Sequence, residues 1–221
     1  MILPHKTLER KLFKSGYHYI FGVDEVGMGC LAGPVVVCAV AMTNHFYNKH
    51  HKKLRRLRES KLLLPHQREE FSTELLKEKD LAYAISSVSS KTIDKINIYQ
   101  AARLGMKNAI KKLTIDYSRS PIDEQSFRTI ALVDGKTKIK SVDYEQLPVV
   151  KGDRKIFAIA CASIIAKVHR DKMMSRCAKK YPGYGFERHK GYGTKYHQTQ
   201  LTALGPCEIH RRSFAPVAKM I

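Results

Sequence analysis

The sequence is short of acid. Its 20 Asp and Glu face 40 Lys and Arg, for a formal net charge of +20 and an isoelectric point near 9.8. A field of that sign draws polyanions and speeds their association, and a strongly basic isoelectric point is a first mark of a nucleic-acid-binding protein. Cysteine is scarce and unpatterned: Cys30, Cys38, Cys161, Cys177 and Cys207 are odd in number and form no C-x-x-C pair. That argues against a disulfide framework and against a zinc ribbon, and points to reduced thiols in a cytoplasmic protein. No run of about 18 apolar residues is present, so no membrane-crossing helix is expected. The opening MILPHKTLERKLF carries charges within its first dozen residues and lacks the apolar stretch of a secretory signal. No internal repeat and no linker-like segment appear. A hydrophobic fraction of 43% is ordinary for a globular protein.

Against these absences stands a regular alternation of apolar segments. Tyr19 to Asp24 reads as a strand ending in carboxylates. A glycine-rich turn, Gly27 to Pro34, leads into a wholly apolar strand from Val35 to Met42, so the pair reads as a hairpin. Residues 44–58 are basic and read as an exposed loop or helix start. Residues 65–79 read as a helix entered at Pro65, and Leu81 to Ser90 as a strand. Ile93, Ile96, Leu104, Ile110 and Leu113 recur near helical spacing and predict one long helix from Thr92 to Leu113. Thr129 to Val133 is a short buried strand followed by Asp134, Ile156 to Lys179 a long helix, and Lys195 to Leu204 a short helix stopped by Gly205-Pro206. The order predicts an α/β or α+β fold with one mixed sheet; the α/β form, the sheet flanked by helices, is the one expected. Residues 1–180 form the core and 181–221 a small helical C-terminal subdomain packed on it.

The carboxylates fall at strand ends. Asp24 and Glu25 follow one apolar strand, Asp134 another, and Asp153 the apolar run from Leu147 to Val150. Strand ends are where sheet proteins gather site residues from distant parts of the chain. A set of carboxylates there offers oxygen ligands to Mg²⁺ or Mn²⁺. Successive strand residues point to opposite faces, so Asp24 and Glu25 share a site only if the strand bends, and the following glycines give it room. Gly27-Met28-Gly29-Cys30-Leu31-Ala32 also matches the dinucleotide fingerprint, but Pro34 and three valines follow where that fingerprint opens a helix. Glycines here instead allow close approach to a ligand. His189, His197 and His210 have no zinc-site spacing and read as surface or substrate-facing.

Several long segments resemble ribonuclease HII, the type 2 ribonuclease H, in the family's order: GVDEVGMGCLAGPV (22–35), ESKLL (59–63), LVDGK (132–136), VVKGDRK (149–155), IACASIIAKVHRDKMM (159–174), YPGYGFERHKGYGTKYH (181–197) and GPCEIHRRSFAPV (205–217). The resemblance implies a ribonuclease H-like fold. It also implies an endonuclease that hydrolyses the RNA strand of RNA–DNA hybrids and incises at ribonucleotides embedded in duplex DNA, leaving 3′-hydroxyl and 5′-phosphate ends. By resemblance Asp24, Glu25, Asp134 and Asp153 hold two divalent ions, Mn²⁺ or Mg²⁺. The turn Gly27-Met28-Gly29 reads the 2′-hydroxyl, Tyr192 stacks beneath the sugar, and Lys61 contacts phosphate. A monomer is expected. Asp171 is a rival for Asp153, with ion pairing to Lys167 as its other reading. Type 3 ribonuclease H is close in chemistry but carries an extra N-terminal domain that is not seen here. Two departures stand out. Glu59 replaces the family's usual Asp, a mild change, and Met28 replaces its usual Arg, which removes a cation and five donors from the turn. Met28 therefore predicts weakened single-ribonucleotide incision. In the limit it predicts a basic nucleic-acid-binding protein with impaired catalysis or altered junction recognition.

Overall fold

The computed structural model describes residues 7–51, 54, 57, 63–118 and 128–221. In chain order these form α1 (Thr7–Lys14), β1 (Tyr19–Val26), β2 (Val35–Thr43), α2 (Asn44–His50), α3 (Pro65–Lys77), β3 (Leu81–Val88), α4 (Ser90–Ile96), α5 (Ile98–Ser118), β4 (Thr129–Asp134), β5 (Glu145–Val149), α6 (Gly152–Lys155), α7 (Phe157–Lys180), α8 (Phe186–His189), α9 (Lys195–Leu204) and α10 (Ala215–Ala218). The five strands make one sheet in the order β3-β2-β1-β4-β5. β1 and β2 are the expected antiparallel hairpin, and β2 pairs antiparallel with β3. β4 runs parallel to β1, and β5 parallel to β4.

Alternation along the central strands fills two cores. Ile20, Val36, Cys38, Val40, Met42, Ile130 and Leu132 face α7. Phe21, Val23, Val37, Ala39, Ala41, Ala131 and Val133 face Met106, Ala109, Ile110 and Leu113 of α5. A strand covered on both faces must be apolar at every position, which explains the unbroken run from Val35 to Met42. α7 crosses β1 so closely that a Cβ on Gly22 would lie 2.2 Å from the Ala158 carbonyl carbon; only glycine allows that approach. The start of α7 has no cap from its own segment. Buried Glu9 of α1 supplies it, accepting hydrogen bonds from the Phe157 N–H (2.5 Å) and the Ala158 N–H (3.3 Å). A carboxylate there also meets the positive end of the helix dipole.

The structure corrects two readings. The single helix predicted from Thr92 to Leu113 is two, because Asn97 adopts a left-handed φ of 63° and its side chain accepts the Gln100 N–H at 3.0 Å, starting α5 afresh. With ψ of 165° this is a strained conformation held by the cap that asparagine supplies, while the apolar spacing runs on across the break. The basic stretch from residue 44 is not simply exposed. Thr43 caps α2, and Phe46, Tyr47, Leu54 and Leu57 are buried in the α7-side core.

Candidate active site

The β1–β4 ladder ends at Val23↔Val133, which sets the next residues, Asp24 and Asp134, side by side on neighbouring parallel strands, Asp24 still paired with Cys38 of β2 and Asp134 with Val149 of β5. β5 ends at Val149, and the chain turns through Lys151, in a left-handed conformation, into α6 with Asp153 in its first turn. The Gly152 N–H donates to Asp134 Oδ1 at 2.6 Å and ties that turn to the end of β4. Asp24, Glu25, Asp134 and Asp153 thus line one cavity of about 380 Å³, together with Gly27, Met28, Gly29, Ser163, Lys167 and Tyr192. Asp24 and Glu25 share it despite strand alternation, and the Glu25 N–H donates to Asp24 Oδ1 at 2.8 Å.

The electrostatics are those of like charges held together. Burial pushes the Asp24 carboxyl well above the usual carboxylate range, and the charges of Glu25, Asp134 and Asp153 push it further; a hydrogen bond from Ser163 opposes them. Lys167 reaches the cavity from α7, its pKa lowered by burial and supported by Asp171 at 2.7 Å. Asp171 is therefore ion-paired, and it lines a neighbouring groove rather than the acid cavity. Among the described residues no three His, Cys, Asp or Glu stand as a finished coordination set. The donor chemistry nevertheless fits hard divalent cations: all four acids offer oxygen, and their mutual repulsion favours a cation between them.

The glycine turn is gripped from behind by two fully buried arginines. From α7, Arg170 donates to the carbonyls of Pro34 (3.0 Å), Ala32 (3.1 Å) and Lys190 (2.8 Å). From the C-terminal segment, Arg211 donates to those of Gly33 (3.0 Å), Met28 (2.9 Å) and Gly27 (2.7 Å). At Gly27, with φ of 96°, a Cβ would lie 2.4 Å from Arg170 Nε, so the grip demands glycine. Met28 is half-buried, packs against the Val35, Val88 and Ile93 cluster, and also lines the cavity. Tyr192 bridges to Cys30 of the turn and stands with Lys167 Nζ 5.9 Å from its ring centre. Lys61 falls outside the described residues, as do Glu59 and Ser60.

The histidine reading is corrected for two of the three. His197 and His210 are buried, 0% and 2% exposed, and their Nε2 atoms lie 3.1 Å apart. His189 stacks on His197, ring centres 4.3 Å apart, and edges the neighbouring groove. Sequence reasoning missed Ser163, the Arg170 and Arg211 grip, and the cavity position of Lys167. The i, i+4 spacing of Ser163, Lys167 and Asp171 on one helix was the available signal for the α7 pair. No local signal marks Arg211.

A five-stranded mixed sheet with acids collected where its parallel strands end is a ribonuclease H-like nuclease architecture. It superposes on the ribonuclease H2 of Pyrococcus horikoshii OT3 with a TM-score of 0.65 and 25% identity, over 91% of this chain and 96% of that one. The family model for ribonuclease HII matches residues 21–217. The ribonuclease HII of Caldicellulosiruptor bescii is 47% identical over 94% of this chain and 91% of its own; that of Acholeplasma laidlawii is 42% identical over 100% and 99%. The chain belongs to the ribonuclease HII family.

Proposed function

We propose that this ribonuclease H, an endonuclease acting on RNA–DNA hybrids, cuts the RNA strand at the cavity lined by Asp24, Glu25, Asp134 and Asp153, with two Mn²⁺ or Mg²⁺ ions as cofactors. The observation that carries this reading is the convergence of four acids from three segments, β1, β4 and α6, on one cavity, with Asp24 buried and its carboxyl pushed towards the protonated form. Bound divalent ions would neutralise these acids, polarise the phosphate and lower the pKa of water. The chain's own groups do the rest. Asp134 stays oriented by the Gly152 N–H, and Ser163 holds Asp24. The backbone N–H groups of Gly27, Met28 and Gly29 face the 2′-hydroxyl, the group that separates RNA from DNA. Tyr192 supports the sugar, and Lys167 and Lys61 meet phosphate. The same pairing of turn and tyrosine supports incision at ribonucleotides embedded in duplex DNA. The net charge of +20 draws the duplex to an otherwise acidic spot. Hydrolysis leaves 3′-hydroxyl and 5′-phosphate ends, a monomer suffices, and five free cysteines suit a reducing cytoplasm. The test is cleavage of an RNA–DNA hybrid in Mn²⁺ or Mg²⁺. Asp134→Asn should bind the hybrid and not cut it; an Asp134→Asn protein that still cuts refutes the assignment.

A further inference from the structure

The glycine turn and Tyr192 come from opposite ends of the chain, and a ribose fits between them only if their separation is fixed. Direct pairing supplies part of the restraint: the Leu31 and Ala32 N–H groups donate to the Gly191 carbonyl at 2.8 and 3.3 Å. Arg170 adds a link from α7, holding the carbonyls of Pro34 and Ala32 on one side and of Lys190 on the other. A further link runs through two consecutive residues, His210 and Arg211.

Arg211 reaches one way. Its guanidinium holds the carbonyls of Gly27, Met28 and Gly33, and its own N–H donates to the Leu31 carbonyl at 2.8 Å. The amides of Cys30, Leu31, Ala32 and Gly33 are spent on the Gly27, Gly191 and Ile209 carbonyls, and the part of the turn that lines the cavity is Gly27, Met28 and Gly29. His210 reaches the other way, through a chain whose direction is set by its two ends. The Cys207 N–H can only donate, and it meets His210 Nδ1 at 2.9 Å. The proton of neutral His210 is therefore on Nε2, where it faces His197 Nε2 at 3.1 Å. His197 in turn carries its proton on Nδ1 and donates to the Tyr192 carbonyl at 2.9 Å. The Cys207 thiol also meets His210 Nδ1, at 3.2 Å, and neither His210 nor Arg211 lines the acid cavity.

We propose that His210 and Arg211 are positioning residues for ribonucleotide recognition, together setting the spacing between the glycine turn and Tyr192. The inference rests on the reading above that the turn and Tyr192 hold the ribonucleotide. Arg211→Lys keeps the charge and loses the fork that spans three carbonyls; His210→Gln breaks the ordered chain. For each variant, KM and kcat on an RNA–DNA hybrid are measured with Mn²⁺, beside Mn²⁺ affinity by calorimetry and a thermal unfolding curve. The expected result is a KM raised roughly 5–30-fold, the size of one or two hydrogen bonds, with kcat within about threefold and Mn²⁺ affinity within about twofold of wild type. If Arg211→Lys does not fold, His210→Gln decides the matter through a double-mutant cycle. In a Tyr192→Ala background, His210→Gln should add little further to KM, because its effect runs through Tyr192. Fully multiplicative effects, or Mn²⁺ affinity falling in step with activity, would overturn the inference while leaving the reading of Tyr192 intact. An unchanged KM in Tyr192→Ala alone overturns that reading, and the inference with it.

Discussion

Two clusters of ionisable groups flank the glycine turn, and they are built on opposite plans. In front lie Asp24, Glu25, Asp134 and Asp153, like charges crowded into one cavity with burial and mutual repulsion raising the Asp24 pKa. Behind lie Arg170, Arg211, His197 and His210, whose side-chain N–H groups meet carbonyls or a ring nitrogen. The first cluster is unfavourable as it stands, and a cation would relieve it. The second is satisfied as it stands and asks for nothing more. Burying a polar group costs little when each donor is met and much when it is not. A site that must bind retains the deficit, and a scaffold that must hold removes it.

This contrast can be broken at either cluster. The largest effect is expected in front: Asp134→Asn should lower hybrid cleavage by roughly a hundredfold or more, several kcal/mol of transition-state stabilisation, with hybrid binding retained in a gel-shift assay. Behind, the effect is on stability and follows pH. Burial and the neighbouring His197 depress the His210 pKa to about 4, so between that value and the ordinary histidine range the unfolded chain binds more protons than the folded one. Stability is then full above about pH 6.5 and lost as pH falls towards 4, by roughly 1–3 kcal/mol; denaturant unfolding at pH 7 and pH 4.5 reads it, and His210→Gln should flatten the difference. A smaller effect of opposite sense is expected in front. Asp24→Asn should stabilise the metal-free protein by roughly 1–2 kcal/mol, read as a higher melting temperature, because it removes a charge from a repelling set. A variant that melts lower than wild type in chelator would show that the acids are already compensated. The smallest effect is at the turn itself. Met28→Arg should leave hybrid cleavage within about threefold and improve incision at a single embedded ribonucleotide by several-fold, the size of one exposed charge-assisted contact; no gain on that substrate removes Met28 as a specificity determinant.

Much of this was legible in the chain. The alternation of apolar segments marked the hairpin, β3, β4 and α7, because a strand covered on both faces or a helix against a sheet has few other compositions available. The four acids were legible as residues following apolar runs. Other features left no local trace. The break at Asn97 is invisible to periodicity, since apolar residues keep their spacing through it. Phe46 and Tyr47 sit in a run of Lys and His whose charge masks the buried face of α2. His197 and His210 are 13 residues apart and meet only because α9 folds back on the C-terminal segment, so spacing rules could not pair them.

By itself, then, the sequence determined the class of the protein: a basic α/β chain with oxygen-donor acids at strand ends, in an order of motifs resembling one family. Tertiary structure alone decided which groups work together. It brought Asp24 and Glu25 into one cavity across strand alternation, assigned Asp171 to Lys167 instead of the acids, and placed Arg211 beneath a turn 178 residues away from it at Gly33. The reason is physical. Apolar patterning is a local property that each element must satisfy on its own, whereas a hydrogen bond or a cluster of like charges depends on where two distant segments end, and only the packed sheet and its helices set that.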